Sequence, residues 1–118
     1  MLSDSDIQAL AAARTIDITT IGRRSGEPAR IEIWWFHIDG EFVITGTPGP
    51  RDWYANLMAD QTITVHTPLG DLTGRATPVT DDPTRRRVLS DPALSWYRSQ
   101  AELDRLVAAA PMIRIRFD

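Results

Sequence analysis

Between Ile21 and Leu57 the chain brings together residue types that could do chemistry as a group. A turn rich in Arg, Ile21-Gly22-Arg23-Arg24-Ser25-Gly26-Glu27-Pro28, leads through an aromatic segment containing Trp34, Trp35 and Phe36 to the Gly/Pro loop Thr47-Pro48-Gly49-Pro50. Directly after it comes Arg51-Asp52-Trp53-Tyr54-Ala55-Asn56-Leu57. Fixed guanidinium charge, backbone N–H groups exposed in a Gly-bounded turn and flat aromatic surface together suit a ligand with a phosphate at one end and a ring at the other. Each feature also has a plain structural reading. Arg23 and Arg24 fit a solvated turn, Trp53 and Leu57 at helical spacing fit a core, and Asn56 fits a bond to a loop backbone.

Other chemistries lose their equipment. With no cysteine, thiolate nucleophiles, disulfides and Cys-based metal sites are excluded. His37 and His66 are the only histidines and lack metal-ligand spacing, so each reads as a residue decorating a strand, and no metal is expected. No G-x-S-x-G elbow offers a hydrolase nucleophile. All 13 basic residues are Arg and the net charge is −3, a balance that argues against nucleic acid as the main partner. The run Arg85-Arg86-Arg87 reads as a solvated helix face.

The elements that must position these residues follow from pattern. A chain of 118 residues, 42% hydrophobic and 25% charged, predicts a single globular domain spanning 1–118 with one core. No apolar run reaches the roughly 20 residues needed to span a bilayer. The N-terminal Met1 to Gln8 is acidic and polar, unlike a secretory signal, which makes the expected location cytoplasmic. Ser5-Asp6-Ile7-Gln8 predicts a capped helix to about Arg14, and β-branched Thr15–Ile21 a strand. Arg30–Ile38 and Glu41–Thr45 read as a hairpin around Asp39-Gly40, in which alternation sends Trp34 and Phe36 to one face and Trp35 to the other. Asp52 is placed to cap a helix through Trp53, Leu57 and Met58. Gln61–His66 and Asp71–Val79 read as strands around Pro68-Leu69-Gly70. Asp82-Pro83 and Ser99-Gln100-Ala101-Glu102 read as helix starts, and Met112–Phe117 as a closing strand. About six short strands with consecutive hairpins and short peripheral helices predict an α+β fold, a small antiparallel split β-barrel; the spacings leave no room for parallel crossovers.

Three motifs carry a family resemblance across roughly Arg14 to Val79. They are Thr19-Thr20-Ile21-Gly22-Arg23-Arg24-Ser25-Gly26-Glu27-Pro28, Ile31-Glu32-Ile33-Trp34, and Asp52-Trp53-Tyr54-Ala55-Asn56-Leu57-Met58-Ala59-Asp60. In these the chain resembles the deazaflavin (F420)-dependent nitroreductase family, a branch of the split β-barrel flavin-binding superfamily that includes pyridoxamine phosphate oxidases. The resemblance implies a barrel that binds reduced F420 and passes a hydride to an electron-poor small-molecule acceptor, a quinone, nitroaromatic or activated enone. It implies Arg23, Arg24 and Arg30 as charge partners of the phosphodiester and glutamate tail, with Ser25 and Gly26 as donors. Thr45, Gly46, Thr47 and Pro50 would line the ring, and Trp53 and Asn56 would lie near the phosphate. From the residues alone, Arg30 could instead pair with Glu32 or another strand. Tyr54 and Tyr97, the only tyrosines, are the candidate catalytic proton donors. Two alternatives stand beside this reading: an FMN-dependent enzyme of the pyridoxamine phosphate oxidase type, and a non-catalytic binder of F420 or a lipid-like ligand. The superfamily includes homodimers with the flavin between subunits and proteins that keep the site within one chain. Residues 81–118 carry no family signature.

Overall fold

A computed structural model describes residues 2–118, the side chain of Gln100 apart; Met1, at the head of the acidic N-terminal segment, lies outside them. The elements in chain order are α1 (Asp4–Leu10), β1 (Thr15–Ile21), β2 (Pro28–Ile38), β3 (Glu41–Thr45), α2 (Asp52–Ala59), β4 (Thr62–Thr67), β5 (Gly70–Pro78), α3 (Asp82–Leu89), α4 (Leu103–Ala109) and β6 (Met112–Phe117), with 3₁₀ turns at Pro92–Leu94 and Tyr97–Gln100. The strands close into an antiparallel barrel, as the sequence predicts, and their order is β1-β2-β3-β6-β5-β4. Three hairpins are sequential, β1–β2, β2–β3 and β4–β5, but β6 enters between β3 and β5, so the connections are not consecutive throughout. The β2–β3 turn has positive φ at both Asp39 (51°) and Gly40 (77°), the conformation that matches the twist of a tight hairpin.

Alternation gives each strand two faces and the molecule two apolar layers. Ile16, Ile18, Trp35, Phe42, Ile44, Ile63, Val65, Ile113 and Ile115 fill the barrel, with Leu10 of α1 and Trp53 and Leu57 of α2 closing onto it. Phe36, Ile38, Val43 and Met112 point outward and are covered by Val88 and Leu89 of α3, Leu94, Tyr97, and Leu106 and Val107 of α4. Trp34 packs edge-on against Trp96 and Tyr97 at 5.3 and 5.2 Å, while Trp35 stacks on Phe42 at 4.7 Å inside the barrel. Residues 82–110 thus supply the cover over β2, β3 and β6.

α3 starts at Asp82 as predicted, while the caps of the other helices differ from the predicted ones. The capping box of α1 is Ser3 with Asp6, whose reciprocal bonds are 3.0 and 3.1 Å; Ser5 lies inside the helix, which ends at Leu10 rather than Arg14. Arg51 occupies the N-cap of α2 and Asp52 its first turn, so Asp52 supplies charge there but no cap bond. Asp81 caps α3 by accepting from the Thr84 N–H at 3.0 Å. No capping box forms at Ser99: the segment is a 3₁₀ turn, the Ser99 hydroxyl donates back to the Trp96 carbonyl at 2.6 Å, and Glu102 caps α4 without a side-chain bond. Arg85 is buried, contrary to a solvated reading of the Arg run, whereas Arg86 and Arg87 reach out to Asp104 and Asp39. It donates to the carbonyls of Val79, Leu106, Val107 and Ala110, the last three at the C-terminal end of α4 where the helix dipole favours a cation.

Candidate functional site

The Arg-rich turn is built by its own backbone. Gly22 N–H donates to the Glu27 carbonyl at 2.9 Å, Gly26 N–H to the Gly22 carbonyl at 2.8 Å, and Glu27 N–H to the Ser25 hydroxyl at 3.1 Å. Gly26 sits at φ 71°, a left-handed position that glycine takes without strain. A side chain at Gly22 would come within 2.5 Å of the Ser25 hydroxyl, so the chain narrows to bare backbone there. The result presents Arg23, Arg24, Ser25 and Gly26 to solvent.

Asn56 joins this turn to α2. Its Oδ1 accepts from Arg23 N–H at 3.1 Å and from Arg23 Nη1 at 2.9 Å, and its Nδ2 donates to the buried Thr20 hydroxyl at 3.1 Å. Arg23 Nη2 reaches Asp52 Oδ1 at 3.2 Å. Asn56 is itself buried, so the amide acts inside the fold and fixes where the guanidinium stands. Arg24 is exposed and, among the described residues, has no hydrogen-bond or ion-pair partner. Neither Thr20 nor Asp52 figures as a site residue in the sequence reading. Thr20 lies in the motif that carries the resemblance, but its link to Asn56 is a contact between residues 36 apart in sequence.

The other sequence-predicted residues fall elsewhere. Arg30 pairs with Asp17 at 2.9 Å on the outer face of β1 and β2. It lines a cleft with Asp17, Glu32, His66 and Asp71, and takes no part in the Arg23–Asn56 junction. His66 lies between Thr19 Oγ1 at 2.6 Å and Asp71 Oδ1 at 2.8 Å, a cross-strand polar ladder on that same face. Trp53 is buried in the barrel core, its ring 6.0 Å from that of Tyr54.

Thr45 and Gly46 are buried at the junction of β3 and β6. The Thr45 hydroxyl donates to the Pro111 carbonyl at 2.7 Å, Gly46 N–H donates to the same oxygen at 3.3 Å, and the Tyr97 hydroxyl donates to the Gly46 carbonyl. Tyr97 is fully enclosed, and burial pushes its phenol above the ordinary tyrosine range. The loop beyond them is tied by Arg51, which donates to the Thr47 carbonyl at 3.0 Å, the Thr47 hydroxyl at 2.7 Å and the Pro50 carbonyl at 2.9 Å. Pro50, Arg51 and half-buried Tyr54 then form one wall of a cleft of about 380 Å³ whose other wall is Val79, Thr80, Arg85 and Val107–Pro111. The structure therefore brings together Arg23, Arg24, Ser25, Gly26 and Asn56 at one point, and Pro50 with Tyr54 at another. The two are linked through α2, which carries Asn56, Trp53 and Tyr54.

Residues 7–110 match the model of the F420H(2)-dependent quinone reductase family. No curated protein matches the chain. Among solved structures, a conserved hypothetical protein of Mycobacterium tuberculosis is similar at 20% identity and TM-score 0.74, over 99% of this chain and 81% of that one. A structure described as an F420-H2 dependent reductase is similar at 17% identity and TM-score 0.62, over 87% of this chain and 94% of that one. An FAD-binding protein of Mesorhizobium loti is similar at 19% identity and TM-score 0.66, over 99% and 91%. At these identities the likenesses speak for the fold.

Proposed function

The chain belongs to the F420H(2)-dependent quinone reductase family and is an F420H2-dependent oxidoreductase; from that premise we propose that it passes a hydride from reduced F420 to a quinone, nitroaromatic or activated enone. The observation that carries the reading is the Arg23–Asn56 junction, where one guanidinium is oriented in advance and is followed in the same turn by exposed Arg24, which has no partner among the described residues.

These residues fit the coenzyme. A phosphodiester and a glutamate tail call for fixed cations and small donors, and Arg23, Arg24, the Ser25 hydroxyl and the Gly26 backbone would hold them. Thr47 and Pro50 would line the ring, while Thr45, Gly46 and Tyr97 hold the loop that carries them. When bound, the reduced deazaflavin supplies the hydride. The protein orients, excludes water and manages a proton. Of the two tyrosines, Tyr54 faces a cleft large enough for a small aromatic acceptor, and its hydroxyl is the one we assign to proton donation there. Tyr97, enclosed and committed to the Gly46 carbonyl, positions the loop. Arg30, held by Asp17 on another face, is left out of the coenzyme site.

A fluorescence titration with F420 and, separately, with FMN tests the reading. Saturable binding of F420, followed by oxidation of its reduced form on adding a quinone, supports it. Binding of FMN alone would move the chain to the oxidase side of the superfamily, and F420 binding without turnover on any acceptor would make it a carrier.

A further inference from the structure

The contacts of Arg23 are unequal. Asn56 holds it from two sides, through the Arg23 backbone N–H at 3.1 Å and Nη1 at 2.9 Å, and Asn56 is buried. Asp52 touches Nη2 at 3.2 Å from a side chain that is 92% exposed, so this partner alone stands in water, where an incoming anion would arrive. Asp52 also serves its own helix. It is the only acidic residue in the first turn of α2, and the N-cap residue Arg51 supplies no side-chain cap bond, so the helix dipole has no other carboxylate there.

Resting on the coenzyme reading above, we propose that Asp52 is a displaceable counter-ion: it occupies Arg23 in the free protein, yields that guanidinium to the anionic part of the coenzyme, and so lowers coenzyme affinity while supporting α2. Asn56 is then a positioning residue that keeps Arg23 in place through the exchange. A purely structural Asp52 would make every substitution worse in both respects; a counter-ion makes stability and affinity move in opposite directions.

The test is Asp52→Asn, which keeps the shape and removes the charge. Exposed ion pairs of this kind contribute about 0.2–1 kcal/mol, so the F420 dissociation constant should fall by roughly one-and-a-half- to fivefold while the melting temperature also falls. Asp52→Glu, which restores the charge, should return the affinity close to the wild-type value. Asp104→Asn, in the first turn of α4, should lower the melting temperature without moving F420 affinity. The same Asp52→Asn change in an Arg23→Ala background separates exchange at Arg23 from simple repulsion between Asp52 and the coenzyme: the gain should vanish there. A gain that persists without Arg23, or an affinity that is unchanged or weaker in Asp52→Asn while the wild type binds, overturns the counter-ion role and leaves the coenzyme reading intact. A wild type that does not bind F420 overturns both.

Discussion

Asn56, itself buried, fills both lone-pair positions of its Oδ1 with donors from half-buried contacts to Arg23 and spends one Nδ2 hydrogen on the buried Thr20 hydroxyl. Truncating such a group leaves a buried hydroxyl and a backbone N–H short of partners, so Asn56→Ala should cost about 2–3 kcal/mol of folding stability as well as coenzyme affinity, read by chemical denaturation and F420 titration. Arg24 offers the contrast. Exposed and unpaired among the described residues, it has no fold to support, so Arg24→Ala should leave the denaturation midpoint unchanged and weaken F420 binding by about 1–2 kcal/mol. Equal affinity in wild type and Arg24→Ala would return that residue to surface charge. At this scale the sequence shows which residue types gather but not which of them bond to each other. Arg23 and Asn56 stand out in their motifs, while Thr20 and Asp52 matter through contacts 36 and 29 residues away in the chain.

Strands were more legible than helix ends, for a physical reason. Period-two alternation is imposed by the two faces of the barrel over the full strand, and Thr15–Ile21, Glu41–Thr45 and Met112–Phe117 come out with the predicted limits. A cap rests on a single side chain, and Ser, Asp and Glu at neighbouring positions compete for it, so Ser3 takes the capping place expected at Ser5, whereas α3 starts at Asp82 as expected. The insertion of β6 between β3 and β5 has no local signal, since it joins strands far apart in the chain. It does leave one demand on sequence, at Gly74. A Cβ there would lie 2.4 Å from the Arg116 carbonyl oxygen, so the β5–β6 seam must open to admit it. Gly74→Ala should therefore destabilise by about 1–3 kcal/mol in thermal or chemical unfolding. The caps bear on pH. Asp6 is held below the ordinary carboxylate value by the backbone N–H and hydroxyl of Ser3, Asp60 by those of Thr62, and Asp81 by the side chain and backbone of Thr84. A carboxyl depressed in the folded state adds stability that is present above its unfolded pKa and is lost as pH falls through the folded one. The melting temperature should drop on acidification from about pH 5 downward, and Asp81→Ala, already lacking one such group, should start lower and drop less steeply.

Two apolar layers share the wall formed by β2, β3 and β6: the barrel interior on one side and the cover of α3, α4 and the 3₁₀ turns on the other. The proposed ring-lining loop emerges where these layers meet, since Thr45 and Gly46 are tied to Pro111 at the start of β6 and to Tyr97 in the cover. In the proposed function the cover is thus a working part of the site, although its residues carry no motif legible in the sequence by eye: packing against a barrel needs apolar volume at helical spacing, and many sequences supply that. Arg85 is what fixes its geometry. One buried guanidinium binds the carbonyls of Val79, before α3, and of Leu106, Val107 and Ala110, at the end of α4, so it locks two helices and the entry to β6 around the proposed acceptor cleft, which it also lines. The sequence hid this because Arg85 sits in a run of three whose other members are exposed. Arg85→Met keeps the stem and removes the donors, leaving the carbonyls of Val79, Val107 and Ala110 to find water or stay unpaired while that of Leu106 keeps the Ala110 N–H, and should cost about 3–4 kcal/mol in equilibrium unfolding. Because the Arg23–Asn56 junction lies in the β1–β2 turn and on α2 rather than on the cover, a folded Arg85→Met protein should still bind F420 near wild-type affinity and lose its acceptor turnover. Loss of both in step would mean that the coenzyme and acceptor regions are a single unit and that α2 does not hold its half of the site independently.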